Sequence, residues 1–242
     1  MVTRVPGLRY KDGKTEKIDD VIVIEQKIDL YLNGKKYLSM VASMDQLEEL
    51  GAGFFTAAGI AHDIRSVCVK GKSVFVEAGS VAEIAGSLES GGGFDPGLPA
   101  GRVTSNAKIT PEEIFKIRET LNADVWNETG GLHCSVLYHD HKQAAISSDI
   151  GRHNTVDKVI GRMVLDKLDP SSCVLGCTGR QPSGMVVKAA NAGIPIIVSR
   201  AASTLAGVCL AKESGITLIC FTRDGRFTVY AHPERVIGLD KE

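Results

Sequence analysis

The chain has 242 residues, of which 43% are apolar, and a formal net charge of −1. This length and apolar share suit one large domain, or a domain with a smaller appendage, around a substantial core. The balanced charge excludes a general electrostatic attraction to nucleic acid or to an anionic membrane surface, and no apolar run approaches the roughly 20 residues of a membrane span.

Residues 1–89 are predicted to form a small N-terminal α+β region. A strand is predicted over Val21–Leu32 and a second strand over Lys36–Val41. The Asn33-Gly34 dipeptide between them is typical of a hairpin turn. The pattern therefore predicts an antiparallel pair at the start of this region.

A helix is predicted to follow over Asp45–Ile60, with Asp45 as its N-cap. Its Gly51-Ala52-Gly53 segment resembles the start of a dinucleotide-binding fingerprint, but it lies inside helical periodicity instead of after a strand. We therefore interpret these glycines as a point of close helix packing. A second hairpin is predicted from Arg65–Lys70 and Ser73–Glu77.

Residues 90–108 are predicted to be a Gly/Pro-rich loop between the two regions. Three consecutive glycines, Gly91 to Gly93, are followed by alternating prolines and glycines. Such a sequence sustains neither a helix nor a central strand. We expect Ser90–Asn106 to be poorly ordered without a ligand, and loops of this length are often functional.

Residues 109–242 are predicted to form an α/β domain with mainly parallel strands, because short apolar strands alternate with helices. Thr110 is the predicted N-cap of the first helix, and Asn154 and Asp157 have capping-box spacing in a later one. The predicted elements are a helix from Thr110, strands His133–Tyr138 and Gln143–Ser147, a helix from Asn154, strand Cys173–Cys177, helix Met185–Ala192, strand Ile194–Val198, helix Thr204–Glu213 and strand Ile216–Phe221.

Arginines follow the predicted strands. Ligands of open parallel sheets bind beyond the carboxyl ends of the strands, where helix N-termini offer N–H groups to anions. Taken singly, each arginine is typical of a solvated surface residue, and together they also suit ion pairs across a dimer interface. Because the planar guanidinium matches phosphate, their common placement favours a large phosphorylated ligand. The arginines are Arg152, Arg180, Arg200, Arg223 and Arg226.

The cysteines and histidines do not indicate a metal site. Cys173 and Cys177 are four residues apart on a predicted strand, so their Cα atoms are expected about 13 Å apart, too far for a disulfide and unfavourable for a shared metal. His133 and Cys134 follow a Thr-Gly-Gly segment, and a buried structural role for His133 is as consistent with this pattern as a catalytic one.

The cysteine usage and the N-terminal segment predict a cytoplasmic protein. Six cysteines are scattered through a chain too large to need disulfides, so we expect reduced thiols. Residues 1–20 are polar and charged, without the hydrophobic stretch of a signal peptide.

Several motifs together resemble the formate dehydrogenase accessory proteins of the FdhD type. The resemblance covers nearly the whole chain and is clearest over residues 129–238. The motifs are Thr129-Gly130-Gly131-Leu132-His133, Asp149-Ile150-Gly151-Arg152-His153-Asn154-Thr155-Val156-Asp157-Lys158, Thr178-Gly179-Arg180, and Phe221-Thr222-Arg223-Asp224-Gly225-Arg226-Phe227 with Tyr230.

The resemblance implies a sulfur carrier in formate dehydrogenase maturation. Such a protein accepts sulfur from a cysteine desulfurase and passes it to the molybdenum bis-molybdopterin guanine dinucleotide cofactor, its bound cargo, before insertion into formate dehydrogenase. The resemblance also implies a cytidine-deaminase-like layered α/β/α domain and a homodimer. The candidate cofactor-binding residues are Phe221, Thr222, Arg223, Asp224, Gly225 and Arg226, with Arg180, Arg152 and His153.

The family's persulfide-forming cysteine lies in a glycine-rich loop, and the matching segment here is Ser90-Gly91-Gly92-Gly93. No cysteine lies between Cys68 and Cys134, so Cys134 is the least implausible substitute. The alternative hypothesis is a cofactor-binding chaperone without sulfur transfer. A zinc-dependent deaminase ranks last, because the His-x-Glu and Pro-Cys-x-x-Cys motifs of that chemistry are lacking.

Overall fold

A computed structural model describes residues 2–82, 87–88, 94–95, 101–121, 129–223 and 225–239. Fourteen strands in this part of the chain form four sheets, accompanied by five α-helices and two short 3₁₀ turns. The strands are β1 Val2–Lys11, β2 Lys14–Val23, β3 Gln26–Leu32, β4 Lys35–Ala42, β5 Ile64–Lys70, β6 Ser73–Ala78, β7 Ser87–Leu88, β8 Phe94–Asp95, β9 His133–His139, β10 Lys142–Asp149, β11 Cys173–Cys177, β12 Ile196–Ser199, β13 Thr217–Arg223 and β14 Arg226–Ala231. The helices are α1 Leu47–Ala57, α2 Pro111–Thr120, α3 Arg152–Leu165, α4 Ser183–Asn191 and α5 Leu205–Ser214.

The N-terminus forms a two-stranded ribbon that the sequence did not predict. β1 and β2 pair antiparallel from Val2↔Val23 to Lys11↔Lys14. The predicted strand over Val21–Leu32 is wrong in its extent, because β2 ends at Val23 and β3 begins at Gln26. β2 and β3 belong to different sheets.

The N-terminal region continues as a four-stranded sheet of order β4-β3-β6-β5 that packs on α1. Both predicted hairpins of this region are confirmed, since β3 pairs with β4 and β5 pairs with β6 antiparallel. The prediction of Asp45 as the N-cap of α1 is wrong. Gln46 occupies that position in a left-handed conformation without a side-chain cap, while Asp45 forms an ion pair with Lys158 at 3.4 Å.

Glycines bring α1 and α3 into backbone contact, which confirms the interpretation of Gly53 as a packing residue. A Cβ on Gly53 would lie 1.7 Å from the carbonyl oxygen of Asp157, and one on Gly161 would lie 1.8 Å from that of Glu49. No side chain fits at either position, so the two helices cross with their backbones touching.

The C-terminal domain is built on a six-stranded sheet of order β10-β9-β11-β12-β13-β14. β11, β12 and β13 are parallel, as the strand–helix alternation predicts. The outer pairs are antiparallel: β10 with β9, β9 with β11, and β13 with β14. Parallel pairing is therefore confined to the two central pairs, where helices connect the strands, so the prediction of mainly parallel strands is wrong for the outer three pairs.

Helices cover both faces of this sheet. Alternate strand residues such as Leu137 and Leu175 face a core shared with α3, α4 and α5. Their neighbours, such as Val136, face α2 in a second core. The α/β/α layering and the smaller N-terminal α+β region confirm the predicted fold class. No helix in the ranges described here is long and apolar enough to cross a membrane.

The predicted Gly/Pro-rich loop lies partly outside the described residues, which lack 90–93, with the glycines Gly91 to Gly93, and 96–100. Its C-terminal part is described and is anchored to the domain. The N–H of Val103 donates to the carbonyl of Ser214 at 2.8 Å, and the Ser105 hydroxyl donates to the carbonyl of Ser171 at 2.7 Å.

Candidate functional site

The carboxyl ends of the parallel strands meet at one edge of the six-stranded sheet, and the predicted arginines follow them. β10 ends and β9 begins at the same edge, because β9 runs antiparallel to both its neighbours. We call this set of residues the arginine edge: Arg152, Arg180, Arg200, Arg223 and Arg226. Arg180, Arg223 and Arg226 are exposed, whereas Arg152 and Arg200 are half-buried. The fold therefore concentrates positive charge around one rim of the sheet.

Three helices begin at this edge, and two of them begin without a side-chain cap. The N-caps of α3 and α4, Gly151 and Pro182, make no side-chain hydrogen bond to the first turn. The first turn of α5 differs, because Thr204 accepts a hydrogen bond from the N–H of Gly207. The uncapped first turns have backbone N–H groups available to an anion.

Arg152 lies against the loop that follows β11. A Cβ on Gly179 would lie 3.1 Å from Cβ and 3.2 Å from Cδ of Arg152, so the glycine provides the flat surface on which the arginine stem packs. The Nε atom of Arg152 is buried and has no hydrogen-bond partner in the structure. A buried donor without a partner is costly, which fits a group that is paired when a ligand is bound.

Two histidines interact with the charges of these arginines, and the pKa of each is lowered. The His153 side chain is 2% exposed, and neither ring nitrogen has a hydrogen-bond partner. Burial, together with the charges of Lys188 and Arg152, lowers the pKa of His153 to about 3. Burial and then the charges of Arg152 and Arg180 also lower the pKa of His133, whose Nδ1 lies 3.4 Å from the Thr178 hydroxyl.

Asp149 organises the turn that carries Arg152 and His153. One carboxylate oxygen accepts from the N–H of Gly151 at 3.0 Å and from Asn154 at 2.9 Å. The other accepts from Ser43 and, at 2.7 Å, from the fully buried Lys158. The predicted cap role of Asn154 is therefore wrong: the side chain bonds to Asp149 and lies inside α3, while Gly151 is the N-cap.

The predicted C-terminal hairpin is irregular where β13 ends. Phe221 has a φ of 55°, and the register shifts between Cys220 and Arg223. The guanidinium of Arg223 lies 5.8 Å from the centre of the Phe221 ring. Thr222 is fully buried and its hydroxyl has no partner, while Asp224 lies outside the described residues. The bulge thus presents an aromatic ring and a guanidinium together.

A family model described as the FdhD/NarQ family matches residues 23–237 of this chain. The chain belongs to the FdhD/NarQ family. The match spans the N-terminal sheet, the arginine edge and the C-terminal hairpin, so the resemblance seen in the motifs extends through both regions of the fold.

Several FdhD proteins are similar along almost the whole chain. The sulfur carrier protein FdhD of Wolinella succinogenes is 33% identical over 243 residues, covering 90% of this chain and 83% of the relative. That of Bacillus subtilis is 29% identical, covering 94% and 95%. A crystal structure from Desulfotalea psychrophila, provisionally assigned as a formate dehydrogenase accessory protein, matches with a TM-score of 0.85 and 28% identity, covering 98% of this chain and 99% of that one.

Since the curated FdhD relatives are named sulfur carriers, the state of the thiols matters. Cys134, the weak sequence candidate, is 1% exposed, and burial raises the pKa of its thiol to about 11. A buried neutral thiol is a poor nucleophile. Cys68 and Cys209 are exposed, and Cys173, Cys177 and Cys220 are buried. The segment that matches the FdhD loop cysteine, Ser90–Gly93, lies outside the described residues.

One basic residue near the edge of this FdhD-type sheet was not predicted from the sequence. Arg118 lies on α2 and lines a cavity with Phe115, Glu119 and Gly225 of the hairpin. Its Nε is buried without a partner. The aromatic contact between Phe115 and Phe227, with ring centres 5.8 Å apart, holds the hairpin against α2. Arg118 was missed because it lies in the middle of a helix, away from any strand end.

Within the described ranges, no group of His, Cys, Asp or Glu forms a metal site.

Proposed function

We propose that this chain acts in formate dehydrogenase maturation in the cytoplasm by binding the molybdenum bis-molybdopterin guanine dinucleotide cofactor as cargo at the arginine edge. The observation that carries the proposal is the convergence of five arginines and two uncapped helix N-termini on one rim of the sheet. The cargo's pyrophosphates are the anions that such groups bind, and guanidinium forks pair with phosphate oxygens through two parallel hydrogen bonds.

The residues at the edge fit the cargo on chemical grounds. Arg152 Nε and the Thr222 hydroxyl are buried without partners, so a bound phosphate or base would satisfy polar groups that the free protein leaves unpaired. The Phe221 ring beside Arg223 offers a stacking surface for a guanine base. The buried His153 ring, whose pKa is lowered to about 3, adds polar atoms near Arg152 without further charge.

Titration with guanosine diphosphate, a fragment of the cargo, tests this proposal. A charge-assisted hydrogen bond contributes about 1.5–3 kcal/mol, so Arg223→Ala or Arg226→Ala should weaken binding by roughly one to two decades. Binding should also weaken as salt rises. Arg65→Ala is the matched control, because Arg65 is exposed on β5, far along the chain from the edge. Variants that bind like the wild type but melt earlier would assign these arginines to the fold and not to the ligand.

Sulfur transfer is the second candidate activity, favoured by the names of the relatives. In this reaction a thiolate of the chain takes the terminal sulfur of a cysteine desulfurase persulfide and leaves the desulfurase with a free thiol. The sequence offers serine and glycines where the family carries its loop cysteine. Cargo binding without sulfur transfer is therefore the version that the chain's own residues support best.

Persulfide labelling after incubation with a cysteine desulfurase separates the two versions. A labelled wild type that loses its label in Cys68→Ser or Cys209→Ser would assign the sulfur to an exposed thiol. An unlabelled wild type that still binds guanosine diphosphate would identify a cargo-binding chaperone.

A further inference from the structure

Ser199 lies at the centre of the loops that carry the arginine edge. It is the last residue of β12, and its side chain is fully buried. The hydroxyl donates to the carbonyl of Gly179 at 2.8 Å and accepts from the N–H of Ala201 at 3.1 Å. One hydroxyl therefore bonds to the loop after β11 and to the loop after β12 at the same time.

The hydrogen bond to Gly179 connects Ser199 to two arginines. Gly179 directly precedes Arg180, and the stem of Arg152 packs on its Cα. The same carbonyl accepts a second hydrogen bond, at 2.8 Å, from the side chain of the fully buried Gln181. The backbone N–H of Gln181 also donates to Ala202 at 2.9 Å, which adds another bond between the two loops.

The hydrogen bond from Ala201 connects Ser199 to the bulge in β13. The carbonyl of Ala201 accepts from the N–H of Phe221 at 3.1 Å. Phe221 adopts a left-handed φ of 55°, a conformation that a bulky residue keeps only when its surroundings hold it there. The Phe221 ring in turn lies beneath the guanidinium of Arg223.

We propose that Ser199 is a positioning residue, whose buried hydroxyl holds the loops after β11, β12 and β13 in one relative arrangement and so sets the spacing of Arg152, Arg180, Arg200 and Arg223. The identity of the ligand that these arginines bind is taken from the proposed function. The coupling between the loops is a property of the free protein and is measured without ligand.

Amide hydrogen exchange of Ser199→Ala tests the coupling in the free protein. The substitution removes both hydroxyl bonds, so exchange should become faster in residues 178–181, 200–204 and 221–223 together. Ser147→Ala is the matched control, because Ser147 is 3% exposed and its hydroxyl has no partner. Ser199→Thr keeps the hydroxyl and should restore slow exchange. If Ser199→Ala does not fold, Gln181→Met removes one of the bonds to Gly179 and should loosen the same loops.

Titration with guanosine diphosphate then tests the consequence for binding. Loss of a pre-arranged site should lower the affinity of Ser199→Ala about tenfold, while Ser147→Ala binds like the wild type. Unchanged exchange in the loops after β11 and β13, or unchanged affinity in a loosened variant, would overturn the positioning role. A wild type that binds no nucleotide, with loops that still loosen together in Ser199→Ala, would retain the coupling and reject the cargo proposal.

Discussion

Arginine and histidine contribute differently to the candidate site. The arginines carry charge at every physiological pH, and three of them are exposed at the rim. His153 is enclosed among Lys188, Arg152 and His133, and its environment opposes a further positive charge. The charge of the site therefore comes from guanidinium groups and helix ends, and His153 contributes a neutral polar ring.

The lowered pKa of His153 predicts acid sensitivity of folding. Its folded-state pKa of about 3 lies below the ordinary value of 6.5, so the unfolded chain takes up a proton in a range where the folded protein does not. The stability that neutral His153 contributes is present above pH 6.5 and is lost as the pH falls towards 3. One such proton corresponds to at most about 1.4 kcal/mol per pH unit.

Urea unfolding of the wild type and His153→Gln at pH 7, 6 and 5 measures this contribution. The difference between the two slopes isolates His153 from the other groups that titrate in this range, including His133. His62→Gln is the control for removing a histidine, because His62 is exposed and lies outside the site. A His153→Gln variant with the same pH slope as the wild type would show that His153 is not the acid-sensitive group.

The crossing of α1 and α3 is the element-scale feature on which the site depends. α3 begins at Arg152, and its position is set by backbone contact with α1 at Gly53 and Gly161. Two fully buried ion pairs flank this helix: Lys158 with Asp149 at 2.7 Å and Lys188 with Asp157 at 2.6 Å. A shift of α3 would therefore move the first residue of the arginine edge.

Gly161→Ala should destabilise the protein strongly. The new methyl group would lie 1.8 Å from a backbone carbonyl oxygen, which cannot rotate away, so the helices would have to separate. Overpacking typically costs about 1–3 kcal/mol, and we expect the upper end of that range or beyond. Gly101→Ala is the control, since its Cβ would meet nothing within 4 Å. Equal unfolding midpoints for the two variants would contradict the close crossing.

At the scale of the whole molecule, the β1–β2 ribbon stands out by its exposure. Every residue of β1 is exposed, including Leu8 at 71% and Tyr10 at 74%. An isolated two-stranded ribbon is marginally stable in water and needs further packing. The ribbon carries charges of both signs along its length. Arg9, Lys11, Lys14 and Lys17 lie near the tip with Asp12 and Glu16, and Asp19 and Asp20 lie near the base with Arg4, so the tip has an excess of positive charge and the base an excess of negative charge. Two ribbons side by side in opposite directions would bring these opposite excesses together.

We therefore expect a homodimer in which the ribbons of two copies pack together. The double variant Leu8→Asp and Tyr10→Asp places charges on one face of the ribbon and should shift the mass in light scattering from dimer to monomer. Ile237→Asp, a change at another exposed apolar residue, should leave the dimer intact. A wild type of monomer mass at micromolar concentration would contradict the expectation. A dimer that survives the ribbon variant would place the interface elsewhere.

The sequence predicted most of the elements but not all of their contacts. The strands and helices predicted from His133 onwards are confirmed, and so is the N-cap at Thr110, because all of these are local features. Asp45 and Asn154 have good cap residue types, yet both side chains have partners distant in sequence: Lys158 for Asp45 and, for Asn154, the carbonyl of Val41. The residue type shows which hydrogen bonds a side chain can make. The tertiary packing decides which partner it meets.

Periodicity and strand direction follow from local chemistry, so the sequence alone predicted the α/β class, the close packing of Gly53 and the placement of five arginines at strand ends. The folded structure was needed to show that His153 is buried, that Cys134 is enclosed, that Arg118 approaches the hairpin, and that Ser199 joins the arginine loops. Each of these depends on contacts between segments distant in the chain, and no local pattern encodes which distant segment supplies the partner or removes the water.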